Sequence, residues 1–170
     1  MIHYKISKNA KILFVGINPH PGSYRRGIPF SNNKMFWYLL NRSGLILENV
    51  GDLKKVHLLS QIYDKKFISL YNLNFVNFIY HPTKSISELK KDERKVGVNR
   101  VAMGIKRYKP KVVCFIGKTT YAKFIGHTNF DFGWQKDLFY SKVYVMHFPI
   151  RGMASVRVQE LQRIKEATES

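Results

Sequence analysis

Residues 11–30 read KILFVGINPHPGSYRRGIPF, and this stretch decides how the rest of the chain is interpreted. Its first part, residues 12–15, is a short uninterrupted apolar run, which is typical of a strand covered on both faces. Three prolines and three glycines follow between residues 16 and 29. A loop of this composition directly after a buried strand predicts a stiff wall that a ligand can approach closely, rather than a generic surface turn.

Similar apolar runs recur at residues 67–75, 112–116 and 143–146. Helical patterns lie between them. The first covers residues 35–45 and stops at Gly44, the second follows a capping box of Ser85 and Glu88, and the third follows Ser155. The apolar stripe of the second pattern consists of Val98, Val101, Ile105 and Tyr108, and Pro110 ends this helix. The apolar stripe of the third consists of Val158, Leu161 and Ile164.

Strands that alternate with helices predict an α/β fold, with a mostly parallel sheet and helices on both of its faces. Ligands of such sheets bind beyond the carboxyl ends of the strands. The loops that begin at Gly16, Asn74, Gly117 and His147 are therefore the places where we expect function.

Length and composition set further bounds. The 170 residues, 45% of them hydrophobic, suit a single domain over residues 1–170. The single cysteine, Cys114, excludes an internal disulfide and any four-cysteine zinc or iron–sulfur site made by this chain alone. No apolar run approaches the ~20 residues that span a bilayer, and no signal-peptide core is present at the start. We therefore expect a cytoplasmic protein without membrane association.

Charge is the strongest compositional signal. Lys and Arg together number 29 against 11 Asp and Glu, which gives a net charge of +18. Such an excess on a folded domain indicates a polyanionic partner, usually nucleic acid. The alternative is a solvated lysine-rich surface with no such partner.

The loop after the first strand contains neither the G-x-G-x-x-G nor the G-x-x-x-x-G-K-[ST] pattern, so a dinucleotide or P-loop site is not expected. Asn18 is the polar side chain at the tip of this strand. The local sequence alone slightly favours an asparagine that bonds its own backbone in a turn.

Several collinear segments resemble those of one enzyme family. They are Gly16-Ile17-Asn18-Pro19 with Gly27-Ile28-Pro29-Phe30 and Phe36-Trp37, then Asn74-Phe75-Val76, His81-Pro82-Thr83, Arg107-Tyr108-Lys109-Pro110, and Gly117-Lys118 with Tyr121. Over residues 10–165 the chain resembles the mismatch-specific uracil/thymine DNA glycosylases, the bacterial Mug and eukaryotic thymine-DNA-glycosylase (TDG) branch of the uracil-DNA glycosylase superfamily.

The resemblance implies a three-layer α/β/α sandwich on a four-stranded, mostly parallel sheet. It implies a monofunctional glycosylase that cleaves the bond between uracil and deoxyribose in G·U mismatched DNA. Thymine in G·T mismatches is implied as a further substrate. No metal or other cofactor is implied, and the partner is double-stranded DNA that carries uracil or a mismatch. We expect a monomer associated with the nucleoid.

The resemblance also assigns roles to residues. Asn18 matches the residue that positions the attacking water, and Phe30 matches the ring on which the flipped base stacks, although core packing is the commoner fate of a lone Phe. Asn74 matches an asparagine that reads the edge of the base; a strand-end cap is its alternative role and Asn72 is its rival. Ile17 and His20 would contribute backbone N–H groups.

The chain departs from the family at His20, where that branch usually has Gly. An imidazole there would crowd the thymine methyl group beside C5 of the base. Its alternatives are to point into solvent or to bind a phosphate.

The last loop, residues 147–157, also departs and is longer by about two residues. His147 resembles a histidine that binds the uracil O2, or it simply ends a buried strand. Met153, after Gly152, is the expected wedge between base steps, with Arg151 as its rival. DNA contacts are expected at Lys118, Arg151, Gly152, Met153, Ser155 and Arg157.

Two other classes of function compete with this one. The first is a basic nucleic-acid-binding module that kept the fold and lost the chemistry, which the altered last loop favours. The second is a nucleotide-binding or transferase enzyme of similar topology, which the missing phosphate loop disfavours.

Overall fold

The apolar runs form one central sheet in the computed structural model, which describes residues 1–83 and 90–170. The strands are β1 (Ile12–Gly16), β2 (Leu73–Asn77), β3 (Val112–Ile116), β4 (Gly133–Leu138) and β5 (Ser141–Met146). Their spatial order is β2-β1-β3-β5-β4, and every pair is parallel except β4 with β5. The first three strands are buried along their whole length, which explains why they appear as continuous apolar runs.

Helices cover both faces of this sheet. Those within the described residues are α1 (Pro21–Arg26), α2 (Met35–Arg42), α3 (Val50–Leu53), α4 (Val56–Gln61), α5 (Lys91–Tyr108), α6 (Lys118–Ile125) and α7 (Ala154–Thr168). A π-helical turn, Ile62–Lys66, follows α4. None of these helices is long and apolar enough to cross a membrane.

Alternation along the strands divides the core into two layers. Phe14 and Phe75 point into a cluster with Trp37 of α2 and Leu161 of α7. Leu13, Val15 and Val76 point the other way, into a cluster with residues of α5 and α6. The predicted three-layer α/β/α class is therefore confirmed.

The predicted number of four strands is wrong, because β4 adds a fifth at the edge. It pairs antiparallel with β5 after a tight turn in which Phe139 has a φ of 53°. Strand β4 is partly exposed and mixes polar with apolar residues. It therefore lacks the continuous apolar run by which the other strands were identified.

Two element boundaries also differ from expectation. The run at residues 67–75 contributes only its end to β2, since Phe67 lies in a helical turn and Asn72 reverses the chain with a φ of 53°. A short apolar run does not by itself distinguish a strand from a buried helical turn. Helix α2 ends at Arg42 rather than Leu45, and Gly44 takes a φ of 78° directly after it.

The other two helical patterns are confirmed as α5 and α7. The capping box of Ser85 and Glu88 lies outside the described residues. Helix α5 begins at Lys91, where the Glu93 carboxylate accepts a hydrogen bond from the Lys90 N–H at 3.3 Å. It ends before Lys109, whose φ of 51° precedes Pro110.

Candidate active site

A cavity of about 650 Å³ opens at the carboxyl ends of the parallel strands. Four stretches of chain form most of its wall: residues 16–20 after β1, residues 29–33 before α2, residues 116–120 after β3 and residues 148–151 after β5. Phe75 and Asn77 of β2, together with Ile2, Ser23 and Phe132, complete the lining.

The cavity brings together half of the residues that the sequence singled out. Those that line it are Ile17, Asn18, His20, Phe30, Lys118 and Arg151. Those that do not are Asn74, His147, Gly152, Met153, Ser155 and Arg157. The first group comes from the loop after β1, from the start of α6 (Lys118) and from the last loop (Arg151), whereas the second, Asn74 apart, comes from the last loop and the start of α7.

The loop after β1 is stiffened by hydrogen bonds among its own residues. The His20 Nδ1 accepts a hydrogen bond from the Gly22 N–H at 3.0 Å and so caps α1. The Ser23 hydroxyl oxygen accepts from the N–H groups of Ser31 and Asn32, each at 3.1 Å. These bonds close the loop upon itself.

Asn18 is not bonded to its own turn. Its Nδ2 donates to the Thr83 Oγ1 at 2.6 Å, across 65 positions of sequence. Because the amide is held by its nitrogen, its oxygen is the atom left to accept a hydrogen bond from a molecule in the cavity.

Phe30 packs against the core and also faces the cavity. Its ring lies against Phe36 and Phe75, with centroid distances of 4.5 and 5.5 Å, and it also lines the cavity. The backbone of Phe30 has a φ of 55°, a left-handed conformation that costs an L-residue about 1–2 kcal/mol. The buried Trp37 Nε1 donates to the adjacent Pro29 carbonyl at 2.8 Å and helps hold the ring in place.

Asn74 does not reach the cavity, because it projects from the opposite face of β2. Its amide is almost fully buried and is paired with Ser7, accepting from the Ser7 hydroxyl and donating to the Ser7 carbonyl, both at 2.9 Å. Asn72, its rival, donates to the Asn9 carbonyl at 3.4 Å and is also absent from the lining.

Asn77 is the asparagine of β2 that lies in the cavity. It is 3% exposed, and its Nδ2 donates to the Tyr4 hydroxyl oxygen at 3.2 Å. A Cβ at Gly16 would lie only 2.4 Å from the Asn77 Oδ1, so the neighbouring strand must carry glycine there. Alternation could have identified Asn77, since residues 73, 75 and 77 share one face of the strand.

Arg157 was expected to contact DNA, but its side chain is buried beneath the last loop. Its Nε donates to the Phe148 carbonyl at 2.6 Å, its Nη1 to the Met153 carbonyl at 3.0 Å and its Nη2 to the Arg151 carbonyl at 3.3 Å. A Cβ at Gly152 would lie 2.6 Å from the Arg157 Nη1. The guanidinium therefore stabilises the loop and does not face a phosphate.

His147 is held by Glu160, a buried carboxylate of α7 that the sequence analysis missed. The Glu160 Oε1 accepts from the His147 backbone N–H and from its Nδ1, both at 3.0 Å. The imidazole stacks on Phe132 with 3.5 Å between centroids, and Phe132 in turn lines the cavity. An acidic residue on the apolar face of α7 is the signal that could have revealed this contact.

The rim of the cavity is basic and partly apolar. The Lys118 Nζ lies 3.7 Å from the exposed Asp131 carboxylate and 4.8 Å from the centroid of the Phe132 ring. The Met153 side chain is 70% exposed, and Arg151, Gly152 and Ser155 are also exposed. This surface suits contact with a large anionic ligand.

In the part of the chain that the structure describes, no three His, Cys, Asp or Glu residues lie close enough together to hold a metal ion. Cys114 is fully buried, and burial raises the pKa of its thiol well above the usual value. The thiol therefore stays protonated and unreactive.

Comparison with known proteins agrees with the fold and shows the family. The family model described as the uracil DNA glycosylase superfamily matches residues 3–160. A "G/U mismatch-specific uracil DNA glycosylase" of Schizosaccharomyces pombe is 29% identical over 143 residues, which cover 79% of this chain and 42% of that protein. The chain thus spans less than half the length of this relative. With the family model covering nearly the whole sequence, the chain belongs to the uracil DNA glycosylase superfamily.

Proposed function

We propose that this chain is a monofunctional DNA glycosylase that hydrolyses the N-glycosidic bond of uracil in G·U mismatched DNA, with thymine opposite guanine as a further substrate. The observation that carries the proposal is the presence in one cavity of the Asn18 amide, the Phe30 ring and the Asn77 amide. Membership of the superfamily and the name of the yeast relative support it.

The base must leave the duplex to be cleaved, because its glycosidic bond is not accessible inside the helix. A cavity of about 650 Å³ lies within the range that encloses small ligands. Phe30 offers its ring as the stacking surface for the flipped base. The exposed Met153 side chain is suited to fill the gap that the base leaves in the duplex.

Asn77 supplies the recognition of uracil. Its amide oxygen accepts from the N3–H of uracil and its amide N–H donates to O4. Cytosine presents the reverse pattern at this edge, with an unprotonated N3 and an amino group at C4. A buried amide turned one way therefore distinguishes the two bases.

Asn18 orients the attacking water through its amide oxygen. A neutral amide is a weak base, so its contribution is to position the water rather than to remove its proton. The bond between C1′ and N1 breaks with its electron pair leaving on uracil. Water then adds to C1′ of the oxocarbenium-like sugar, and its proton passes to solvent.

DNA is held mainly by charge. The net charge of +18 and the position of Lys118 and Arg151 on the cavity wall suit binding of the phosphate backbone. We propose that residues 1–170 act as one domain and as a monomer, without metal or other cofactor, in the cytoplasm close to the nucleoid.

A duplex with a single G·U mismatch, treated with hot alkali after incubation with the protein, tests the proposal. We expect a strand break at the uracil that is retained in EDTA and absent from the matched G·C duplex. Loss of the break in EDTA, or a covalent protein–DNA adduct trapped by borohydride, would contradict the mechanism. Tight binding without any break would instead favour a nucleic-acid-binding module that lost its chemistry.

A further inference from the structure

A second groove adjoins the cavity on the side of α6. It has a volume of about 470 Å³, and it shares Lys118 and Thr119 with the wall of the cavity. Helix α6 forms one side of the groove through residues of a single face, which are Lys118, Thr119, Ala122, Lys123 and Gly126 just after the helix. Residues 118 to 126 extend over about 12 Å of helix axis. The groove therefore leads away from the cavity along the helix.

Positive charge lines this groove. Arg94 of α5 and both Lys118 and Lys123 of α6 face it, and none of the described residues in its lining is acidic. The Asp131 carboxylate lies 3.7 Å from the Lys118 Nζ at the rim, but the Asp131 side chain is fully exposed. Because such an exposed ion pair contributes little, a bound anion can replace it. The groove is therefore suited to phosphate groups.

Two of its donors are held in place by contacts of their own. The Arg94 Nε donates to the Lys123 carbonyl in the last turn of α6 at 2.9 Å, which fixes the guanidinium and leaves Nη1 and Nη2 as further donors. The His127 Nδ1 accepts from the Asn129 N–H at 3.2 Å, so Nε2 is the ring nitrogen that donates. Donors that are already ordered bind an anion at a lower cost in conformational entropy.

Lys118 lies on the ridge between the groove and the cavity. Its Nζ is 6.0 Å from the centre of the Phe130 ring, which lines the groove, and 4.8 Å from that of Phe132, which lines the cavity. A nucleotide flipped into the cavity stays joined to a phosphate on each side, so its backbone must pass over the rim. The ridge at Lys118 is a positively charged route from the cavity to the groove.

We infer that the groove binds the phosphate backbone next to the flipped nucleotide, on the strand that carries uracil. Lys118 binds at the ridge, and Arg94, Lys123 and His127 bind further along α6. The inference rests on the proposed function of the cavity. It adds three DNA contacts to those expected from the sequence.

A scan of the DNA phosphates tests the inference. The duplex carries one 2′-fluoro-2′-deoxyuridine, which resists cleavage, opposite guanine. An uncharged methylphosphonate replaces, one at a time, the three phosphates on either side of this nucleotide. Fluorescence anisotropy gives the dissociation constants of the parent, Lys123→Gln and Lys142→Gln. Lys142 is exposed at the start of β5, at the opposite end of the sheet from the cavity, so its variant controls for the loss of one positive charge.

In the parent, methylphosphonate at one or two neighbouring positions should weaken binding about tenfold, as expected for the loss of a charge-assisted hydrogen bond. In Lys123→Gln the same replacements should weaken binding about threefold or less, because one of the groups that bind the phosphate is already gone. In Lys142→Gln they should weaken binding as much as in the parent.

The inference would be overturned if the methylphosphonates had the same effect in the parent and Lys123→Gln at every position, or if Lys142→Gln changed the scan as Lys123→Gln does. Inorganic phosphate, added at constant ionic strength, serves as a probe for a small phosphorylated ligand. Phosphate binding that is lost in Lys123→Gln, with an unchanged methylphosphonate scan, would assign the groove to such a ligand and also overturn the inference. Since the scan measures binding alone, failure to cleave a G·U duplex would count only against the proposed activity.

Discussion

Two loops line the same cavity but are held in different ways. The loop after β1, residues 16–32, is fixed by its own prolines and by hydrogen bonds among His20, Gly22, Ser23 and Ser31. The loop after β5, residues 147–153, has its carbonyl groups bound by Arg157 and its first residue bound by Glu160, both of which lie in α7.

The first loop is closed mainly by bonds among its own residues, whereas the second is held by side chains of the helix that follows it. A loop that supports itself can carry a reacting group while its neighbours vary. A loop held by two buried charged side chains depends on how α7, which begins at Ala154, packs beneath it, and its backbone conformation includes a φ of 65° at Arg151. We therefore expect substitutions in the first loop to change chemistry, and substitutions under the second to change stability and DNA engagement.

The largest expected effect is that of Asn18→Ala. Loss of the water-positioning amide should lower the single-turnover rate on a G·U duplex by roughly 10²-fold, or ~3 kcal/mol in the barrier. Thermal unfolding and DNA affinity should stay near those of the parent, because among residues 1–83 and 90–170 the Asn18 side chain makes a single hydrogen bond, to Thr83.

Thr83→Val is the companion variant, since it removes the anchor of the Asn18 amide and leaves the amide itself. We expect a smaller loss, about tenfold, in the same assay. A rate within twofold of the parent for Asn18→Ala would show that this residue does not position water.

The second effect concerns Arg157→Lys, which keeps the positive charge but loses the guanidinium that donates to three carbonyl groups of the loop. The unfolding free energy should fall by about 2 kcal/mol, because buried carbonyl groups lose their donors. The salt dependence of DNA binding should be unchanged, since the guanidinium does not face a phosphate. A lower salt dependence with unaltered stability would restore Arg157 as a DNA contact.

The two loops also show how far the sequence leads. The apolar runs predict strands β1 and β3, and the resemblance of the loop after β1 points to Asn18 and Phe30, both of which line the cavity. The edge strand β4 was missed because a half-exposed antiparallel strand has no continuous apolar run. The resemblance points to Asn74, with Asn72 as its rival, whereas the alternation along β2 puts Asn77 on the face that lines the cavity.

The last loop was harder to predict for a different reason. Arg157 and Glu160 appear as ordinary charges on a helix, and the packing of α7 under the loop turns them inward. The acidic residue on the apolar face of α7 is a signal for Glu160, but the helical pattern does not show which loop atoms the two side chains bind.

A smaller effect is expected at His20, which caps α1 and lines the cavity. His20→Asn keeps a capping acceptor and removes the ring. If the imidazole crowds the thymine methyl group, G·T cleavage should rise and the preference for G·U over G·T should narrow by roughly tenfold. Single-turnover rates on the two mismatches at one salt concentration measure this.

The control at this position is His20→Gly, which removes both the ring and the cap. It should change the G·U to G·T ratio as His20→Asn does, with an additional loss of stability of a few tenths of a kcal/mol. A ratio unchanged in both variants would assign His20 to capping alone.

The smallest effect separates the two arginines of the last loop. Arg151 is exposed on the cavity wall, whereas Arg157 is buried beneath the loop. Each phosphate contact contributes about −0.9 to the slope of log affinity against log salt, and we expect a parent slope of about −3 to −6. Arg151→Gln should make that slope less steep by about 1, which weakens binding several-fold at low salt and little at high salt. Equal slopes in the parent and Arg151→Gln would mean that Arg151 faces the unpaired guanine or solvent, and the loop would then touch DNA through Met153 rather than through charge.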